Sequence, residues 1–435
     1  MAIGFAPRWV WLGIDRRIPQ TANALRLVHS GVFSLALAGA VILAFALSVA
    51  SAQDLEWNDA MKAAERAWNE SRYSDAEQFL RTAVKEAQKF APGDRRLDVS
   101  YSSLATVLYS QGKYDEAERS YLRAVAILEK ILGPGHLRVA ESLTGLATIY
   151  HMRGKYTEAK PLLDRSLAIR ETVLGPDHPD VAASLNNLGT MYKSEGKSAQ
   201  AEVAYRRALA MLERVYGPNH VGVASTLNNL GILYSSQGNP VEAERLLKRA
   251  LWIREAALGP EHADVATSLD NLGAFYNSQG KPLEAESLLK RALVIQETVR
   301  GLEHPDIAFT LGQLGASYEA QGKLVEAEPL IERSVAIWQK ALGPEDIRVA
   351  GALSSLAKTY AAIGKYAEAE PLLKRSLTIL ERWRGPKARE LITDLESYAS
   401  LLRKMSRSPE AIEVDARAEA IRAEHSSAGG PTRDD

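Results

Sequence analysis

Between about Arg95 and Arg384 two kinds of amphipathic stretch alternate, and the alternation repeats every 42 residues. In the first kind apolar positions recur as Leu185, Leu188 and Tyr192, and one period later as Leu227, Leu230 and Tyr234. Steps of three and four share a face only on an α-helix. The second kind follows Glu-Ala-Glu or a variant, as at Glu242-Ala243-Glu244, and reads RLLKRALWIREAAL. A glycine separates first from second at Gly112, Gly154, Gly196, Gly238, Gly280, Gly322 and Gly364, and pairs such as Gly133-Pro134 and Gly259-Pro260 follow the second. Glycine accepts the left-handed backbone that ends a helix, and proline forbids its continuation. The next first-type stretch opens at His178-Pro179-Asp180 or His304-Pro305-Asp306. Proline fits a first turn, and an early carboxylate complements the helix dipole. The pattern therefore predicts helical hairpins, each a helix A followed by a helix B.

Neither helix can hide its apolar stripe alone, so the hairpins must stack into a solenoid. Small residues at Gly189, Gly231, Gly273, Gly315 and Ala357 predict close helix contact. The expected fold is all-α, an α-solenoid of about nine hairpins, seven of them clear over 95–386. A degenerate hairpin over 53–94 runs one residue out of phase, and another over 387–425 has Ser406 in place of the turn glycine. Irregular ends are what capping repeats look like. Residues 426–435 are expected to form a disordered tail.

Composition narrows the function. Lys plus Arg (53) nearly cancels Asp plus Glu (54), which removes the basic excess a phosphate-backbone binder uses and excludes nucleic acid as the expected partner. No cysteine occurs, so disulfides, thiolate metal sites and cysteine nucleophiles are excluded. The first fifty residues differ from the rest. Arg8, Arg16, Arg17 and Arg26 precede an uncharged run, Ser30 to Gln53, which ends Ala50-Ser51-Ala52. That is the form of a signal peptide cleaved after Ala52. Its apolar heart, about 19 residues at about 1.5 Å rise, also spans a hydrocarbon core, so a membrane anchor over 30–52 is the alternative. A buried helix is the third reading. The first two place the repeats across a membrane, exported to a periplasmic or other extracytoplasmic space.

The text from Leu174 to Gly189, L-G-x-x-H-P-D-V-A-x-S-L-N-N-L-G, joined to Y-x-S-Q-G-K-x-x-E-A-E-x-L-L-K-R-A-L-x-I-x-E, closely resembles the 42-residue tetratricopeptide repeats of kinesin light chain and its prokaryotic relatives. The resemblance covers about three quarters of the chain. It implies a right-handed superhelix whose concave wall, built by A helices, holds an extended peptide. The motor function is not implied, because no heavy-chain-binding coiled coil precedes the repeats and the N-terminus resembles an export signal.

Among candidate groups, the ladder His136, His178, His220, His262 and His304 has equivalent atoms about 8 to 10 Å apart. Zinc needs ligands near 2 Å, so the expected role is capping of helix A, and Asp346 in the sixth position suits a cap. The arginines Arg123, Arg165, Arg207, Arg249, Arg291, Arg333 and Arg375 read as a structural ladder, with an anion-binding stripe as the alternative. Gly196-Lys197-Ser198 resembles the end of a phosphate-binding loop, but Met191 stands where that motif requires glycine. No catalytic motif, metal site or cofactor is implied, and the chain is expected not to be an enzyme.

The amides stand out: Asn186 and Asn187, Asn228 and Asn229, Asp270 and Asn271, then Gln313. An amide offers donor and acceptor, and so can hold a peptide backbone without reading its side chains. The spacing of Asn186, Thr190 and Lys193 predicts an outward stripe, extended by Ile232 and Asn277. The alternative is that these amides merely satisfy neighbouring A helices. Trp252 and Trp338 break their columns, which predicts a second contact surface or local packing. The expected function is a protein-binding scaffold holding a peptide or partner protein, with a structural, self-associating solenoid of the cell envelope as the alternative. Membrane contact is expected only through the N-terminal segment if it stays uncleaved.

Overall fold

A computed structural model describes residues 54–70, 72–91 and 93–427. The apolar N-terminal run and residues 428–435 of the expected tail lie outside the described residues, while Ser426 and Ser427, expected in that tail, are the last residues of a helix. Among the described residues eighteen helices form nine hairpins. Helix α1 (54–69) and α2 (Tyr73–Ala87) make the first. Seven A helices of 16 residues follow: α3 (Arg95–Ser110), α5 (Leu137–Met152), α7 (Pro179–Ser194), α9 (Val221–Ser236), α11 (Ala263–Ser278), α13 (Pro305–Ala320) and α15 (Ile347–Ala362). Their B partners have 19 residues each: α4 (Tyr114–Leu132), α6 (Tyr156–Leu174), α8 (Ser198–Tyr216), α10 (Pro240–Leu258), α12 (Pro282–Arg300), α14 (Leu324–Leu342) and α16 (Tyr366–Arg384). Helices α17 (Leu391–Lys404) and α18 (Ser408–Ser427) close the array. Among the described residues no helix is long and apolar enough to cross a membrane.

The boundaries follow from the chemistry of each end. Gly196, with φ +84°, turns α7 into α8, and Gly259, with φ +85°, ends α10. In the last hairpin Ser406 takes this left-handed role with φ 63°, the only non-glycine to do so among the described residues. At the start of α5, α7, α9, α11 and α13 the histidine Nδ1 accepts the backbone N–H two residues on, at 3.1–3.2 Å. Asp346 does the same for Arg348 at 2.9 Å. The histidine ladder is a set of helix caps.

Within a hairpin the A and B helices interlock at the small residues. A Cβ on Gly189 would stand 2.6 Å from a Tyr205 ring carbon, and one on Gly273 2.7 Å from Leu289 Cγ. The arginine ladder joins consecutive B helices. Arg249 Nη2 reaches Glu213 Oε1 at 2.7 Å and the Pro218 carbonyl at 2.6 Å, and Arg165, Arg291 and Arg333 repeat the pattern one hairpin at a time. Arg123 has no such carboxylate, since Ala87 stands at the equivalent place, and it turns to Tyr101 Oη at 3.3 Å.

Consecutive A helices approach each other closely everywhere from α3 to α17 except between α5 and α7, whereas consecutive B helices do not. The array therefore curls with A helices inside. It curls tightly enough that two distant parts of the chain meet: the ring of Tyr114, at the start of α4, stands edge-on to Trp383, at the end of α16, with centroids 4.8 Å apart.

Candidate functional site: the inner wall

Two columns of polar side chains descend the inner wall, one residue apart in sequence. The first ties neighbouring A helices together. Asn186 Nδ2 donates to Thr226 Oγ1 at 2.8 Å, and Asn228 Nδ2 to Ser268 Oγ at 3.3 Å. Asp270 Oδ1 lies 2.7 Å from Thr310 Oγ1, and Ser354 Oγ donates to Asp394 Oδ1 at 2.5 Å. Asn228 and Asp270 are only 4% and 5% exposed.

Asp270 shows how completely this column is enclosed. Gln296 Nε2 donates to its Oδ2 at 2.7 Å, while Thr310 Oγ1 lies 2.7 Å from both Asp270 Oδ1 and Gln296 Oε1. The threonine hydroxyl has one hydrogen and cannot serve two acceptors. A protonated Asp270 that donates to Thr310, which donates in turn to Gln296, satisfies all three. Burial pushes the Asp270 carboxyl up to about 8, against which the Thr310 and Gln296 hydrogen bonds act. Asp270 is thus a neutral group in an amide's position.

The expected outward stripe of Asn186, Thr190 and Lys193 is corrected at Asn186 and Thr190, while half-buried Lys193 stays on the inner wall. Successive residues on a helix point about 100° apart, and position 186 falls on the side that meets the next A helix. Thr190 is buried too, with its hydroxyl 3.0 Å from the Asn186 carbonyl and 2.9 Å from Tyr205 Oη. Asn277 is similarly engaged: its Nδ2 donates to the Gln313 carbonyl at 2.9 Å, and its Oδ1 accepts from Ser317 Oγ at 2.7 Å.

The second column is free. Asn187, Asn229 and Asn271 are half-buried, and among the described residues no protein group hydrogen-bonds their side chains. Gln313 continues the column, its Oε1 3.4 Å from Asn277 Nδ2. Ala183, Ser225 and Thr267 flank it one turn earlier, and half-buried Ile232 and exposed Ser236 flank it later. The surface is small-featured, nearly uncharged and rich in donors and acceptors.

The few charges on this wall feel the surrounding protein. Desolvation lowers the Lys193 ammonium, which has no carboxylate partner within ion-pair distance among the described residues, and raises the Glu141 carboxyl against Arg138 and Arg170. His151, whose Nε2 lies 2.9 Å from Ser194 Oγ, is held neutral, its ring pushed down to about 4 by burial and then by Arg384 and Lys193.

The tryptophans separate. Trp338 is half-buried against Val335 and Leu353 and lies under the Arg348 guanidinium, 5.5 Å from its ring, whereas Trp252 is 54% exposed on the outer face. Trp383 was the tryptophan to notice. It stands where other B helices carry Ile131, Val173, Val215, Ala257, Val299 and Ala341, and that break in the column marks its long-range contact.

Seven overlapping stretches match the tetratricopeptide repeat, at residues 96–172, 138–214, 196–256, 236–298, 264–340, 306–382 and 348–424. The chain belongs to the tetratricopeptide repeat family. No curated protein matches it. Solved tetratricopeptide structures do. One is a putative kinesin light chain of Podosopora anserina with nearly identical repeats, 28% identical, covering 47% of this chain and 97% of that one, with a TM-score of 0.39. Another is BtubC (BKLC) from P. vanneervenii, 27% identical over 57% of this chain and 93% of that one, with a TM-score of 0.40. A Rap protein complexed with competence and sporulation factor is only 14% identical, but covers 87% of this chain and 99% of its own with a TM-score of 0.59. It shares the fold. Tetratricopeptide arrays are in general scaffolds for protein–protein interaction.

Proposed function

We propose that this tetratricopeptide protein is a non-catalytic adaptor that holds an extended stretch of a partner polypeptide along its inner wall. The observation that carries the reading is the free amide column, Asn187, Asn229 and Asn271. Three half-buried amides one hairpin apart, each with donor and acceptor unused by the protein, are matched to a peptide backbone, which presents both groups at every residue. Gln313, Ile232 and Lys193 supply flanking contacts. That a Rap protein of the same fold was solved with competence and sporulation factor agrees with this use of the fold. We place the adaptor outside the cytoplasm, released by cleavage after Ala52 or anchored by 30–52. N-terminal sequencing of the protein from an envelope fraction distinguishes Gln53 from Met1, and recovery in the cytoplasm would refute export.

The binding test selects peptides from a random display library on the unsubstituted protein and measures their affinity for a variant with Asn187, Asn229 and Asn271 all changed to alanine. A hydrogen bond to a neutral group contributes about 0.5–1.5 kcal/mol, so the triple change should weaken binding by about tenfold or more. Helicity and melting temperature should not move. Equal affinity in a folded triple variant would sink the reading.

A further inference from the structure

The contact between Tyr114 and Trp383 belongs to a seam. On one side is the A–B turn edge of the second and third hairpins, with Tyr114, Gly112 and Gly154. On the other are the loops after α14 and α16. Tyr114 Oη lies 3.4 Å from Asp346 Oδ2, and Arg348 Nη2 donates to the same hydroxyl at 3.3 Å. Arg348 also grips Asp346 with two nitrogens, Nε to Oδ1 at 2.9 Å and Nη2 to Oδ2 at 3.2 Å. Tyr114 and Asp346 are each 2% exposed. A Cβ on Gly112 would stand 2.7 Å from Asp346 Oδ2, and one on Gly154 2.6 Å from Arg384 Nη1. The two edges are in full contact.

Curvature brings the two edges together, and two breaks in the repeat mark the place. Trp383 replaces the aliphatic residue of every other clear B helix, and Asp346 replaces the histidine of five other rungs. An aspartate cap keeps the hydrogen bond to Arg348 N and adds a charge for the Arg348 guanidinium, which a neutral imidazole could not do. Trp383 and Asp346 break the repeat on one side of the contact, whereas Tyr114 does not, since Tyr156 and Tyr366 stand at equivalent positions, and the first clear hairpin also has an aspartate cap, Asp94.

The turn that closes runs from the second hairpin to the loop between the seventh and eighth, between five and six hairpins. Neighbouring helices pack about 8–10 Å apart, so such a ring of A helices has a circumference of roughly 50 Å and a diameter of about 16 Å between axes. A helix with its side chains is about 10–12 Å thick, which leaves a lumen of roughly 5 Å. An extended strand occupies about 4.8 Å in its hydrogen-bonding direction and about 10 Å across its side chains, so a lumen this narrow takes one strand only where small wall residues such as Ala183, Ser225 and Thr267 leave room for its side chains. The desolvation of half-buried Lys193 on the inner wall is consistent with so narrow a space, although Glu141 on the same wall is exposed.

We infer that the seam closes the inner wall into a ring whose lumen takes a single unfolded, extended polypeptide segment and excludes folded partners and helices. The inference rests on the inner wall being the binding surface, and it sets how a partner gets there: by threading a free end, or when the seam opens.

The absence of native cysteine allows a direct test on the full chain. A cysteine is placed in the lumen by Asn229→Cys, or on the exterior of the same hairpin by Val241→Cys, which is 79% exposed. Each is reacted with N-ethylmaleimide and with a maleimide carried on a small globular protein. Minor open states are commonly populated at about 10% or less, so the globular reagent should react with the lumen cysteine about tenfold more slowly or worse, relative to the exterior one. Opening the seam with Tyr114→Ala and Trp383→Ala should bring that ratio to near one while the exterior rates and helicity stay fixed. Spin labels at Asp115→Cys and Arg382→Cys, which flank the seam, should report one short distance in the otherwise unsubstituted chain. A broad distance distribution there, or equal access of both reagents to the lumen cysteine with the seam intact, overturns the inference. No partner enters the test, so a failure of peptide binding and a failure of ring closure are read separately.

Discussion

Asn228 and Asn229 are adjacent, chemically identical and opposite in fate. The first is buried between α9 and α11, its Nδ2 donating to Ser268 Oγ while its Oδ1 stays buried without a protein partner among the described residues, and the second stands half-exposed on the inner wall with its whole amide unspent. The same holds for Asp270 beside Asn271; Asn186 and Asn187 are both half-buried and differ only in that Asn186 donates to Thr226. One residue is about 100° on a helix, enough to move a side chain from a helix–helix contact to a lumen. A polar group in the first place costs stability wherever the protein leaves it unsatisfied, as it does at Asn186 Oδ1 and Asn228 Oδ1, so the donor half of each amide is what ties the helices. In the second place it can remain unsatisfied by protein because water, or a ligand, completes it. The pair of columns thus divides one chemistry between holding the scaffold and presenting it.

The sharpest way to break the comparison is to empty a site in the first column. Asp270→Ala leaves Gln296 Nε2 without its acceptor and opens a cavity beside Thr310, and both neighbours are buried. The expected loss is about 2 kcal/mol or more, from an unsatisfied buried donor at about 1–3 kcal/mol together with lost packing. Because solenoid stability is a sum of neighbour terms, amide hydrogen exchange should accelerate most in α11 and α13. A uniform loss across all nine hairpins would contradict the local role.

A second test uses pH. Burial holds the Asp270 carboxyl at about 8 against an ordinary 3.8, so between those values the folded chain binds a proton that the unfolded chain has lost. Its contribution is complete below about pH 4 and is lost as pH rises through about 8. Stability should therefore decline with rising pH across that window. Asp270→Asn puts in place the amide that Asn186 and Asn228 already supply, and should remove that component, raising the melting temperature more at pH 8 than at pH 5. An equal effect at both would mean that Asp270 is ionised in the fold.

The repeat, its helices and its histidine caps were legible because each follows from a local rule, a spacing of three and four, a turn glycine or a group before a first turn. Asn186 shows where that reading stops. Spacing put Asn186, Thr190 and Lys193 on one stripe, but a stripe does not say whether it meets water or the next A helix. A signal for the second existed: a hydroxyl 40 residues on, Thr226 after Asn186, Ser268 after Asn228 and Thr310 after Asp270. The seam was harder still. Trp383 and Asp346 are visible as breaks in their columns, yet the partner Tyr114 lies some 230 residues away from Asp346. Only the accumulated rotation of the stacked hairpins brings them together, and no local rule sums that rotation.

The smallest effect is expected where the second column is given a charge. Asn229→Asp keeps the shape of the side chain and removes no hydrogen bond to protein, since the Asn229 amide makes none among the described residues. The new carboxyl would be partly hydrated. It would also feel the desolvation that raises Glu141 on the same wall, so its titration, followed by carbon NMR, should sit above the ordinary carboxylate range but well short of Asp270. Surface-like substitutions usually change stability by within about 0.5 kcal/mol, and that is the expectation at any pH between about 5 and 8. Asn228→Asp, one residue away, should instead acquire a raised carboxyl and a pH-dependent stability like that of Asp270, because it enters the same helix–helix contact. If the two variants titrate alike and melt alike, the 100° that separates the columns does not separate their environments, and the division between scaffold and binding surface fails.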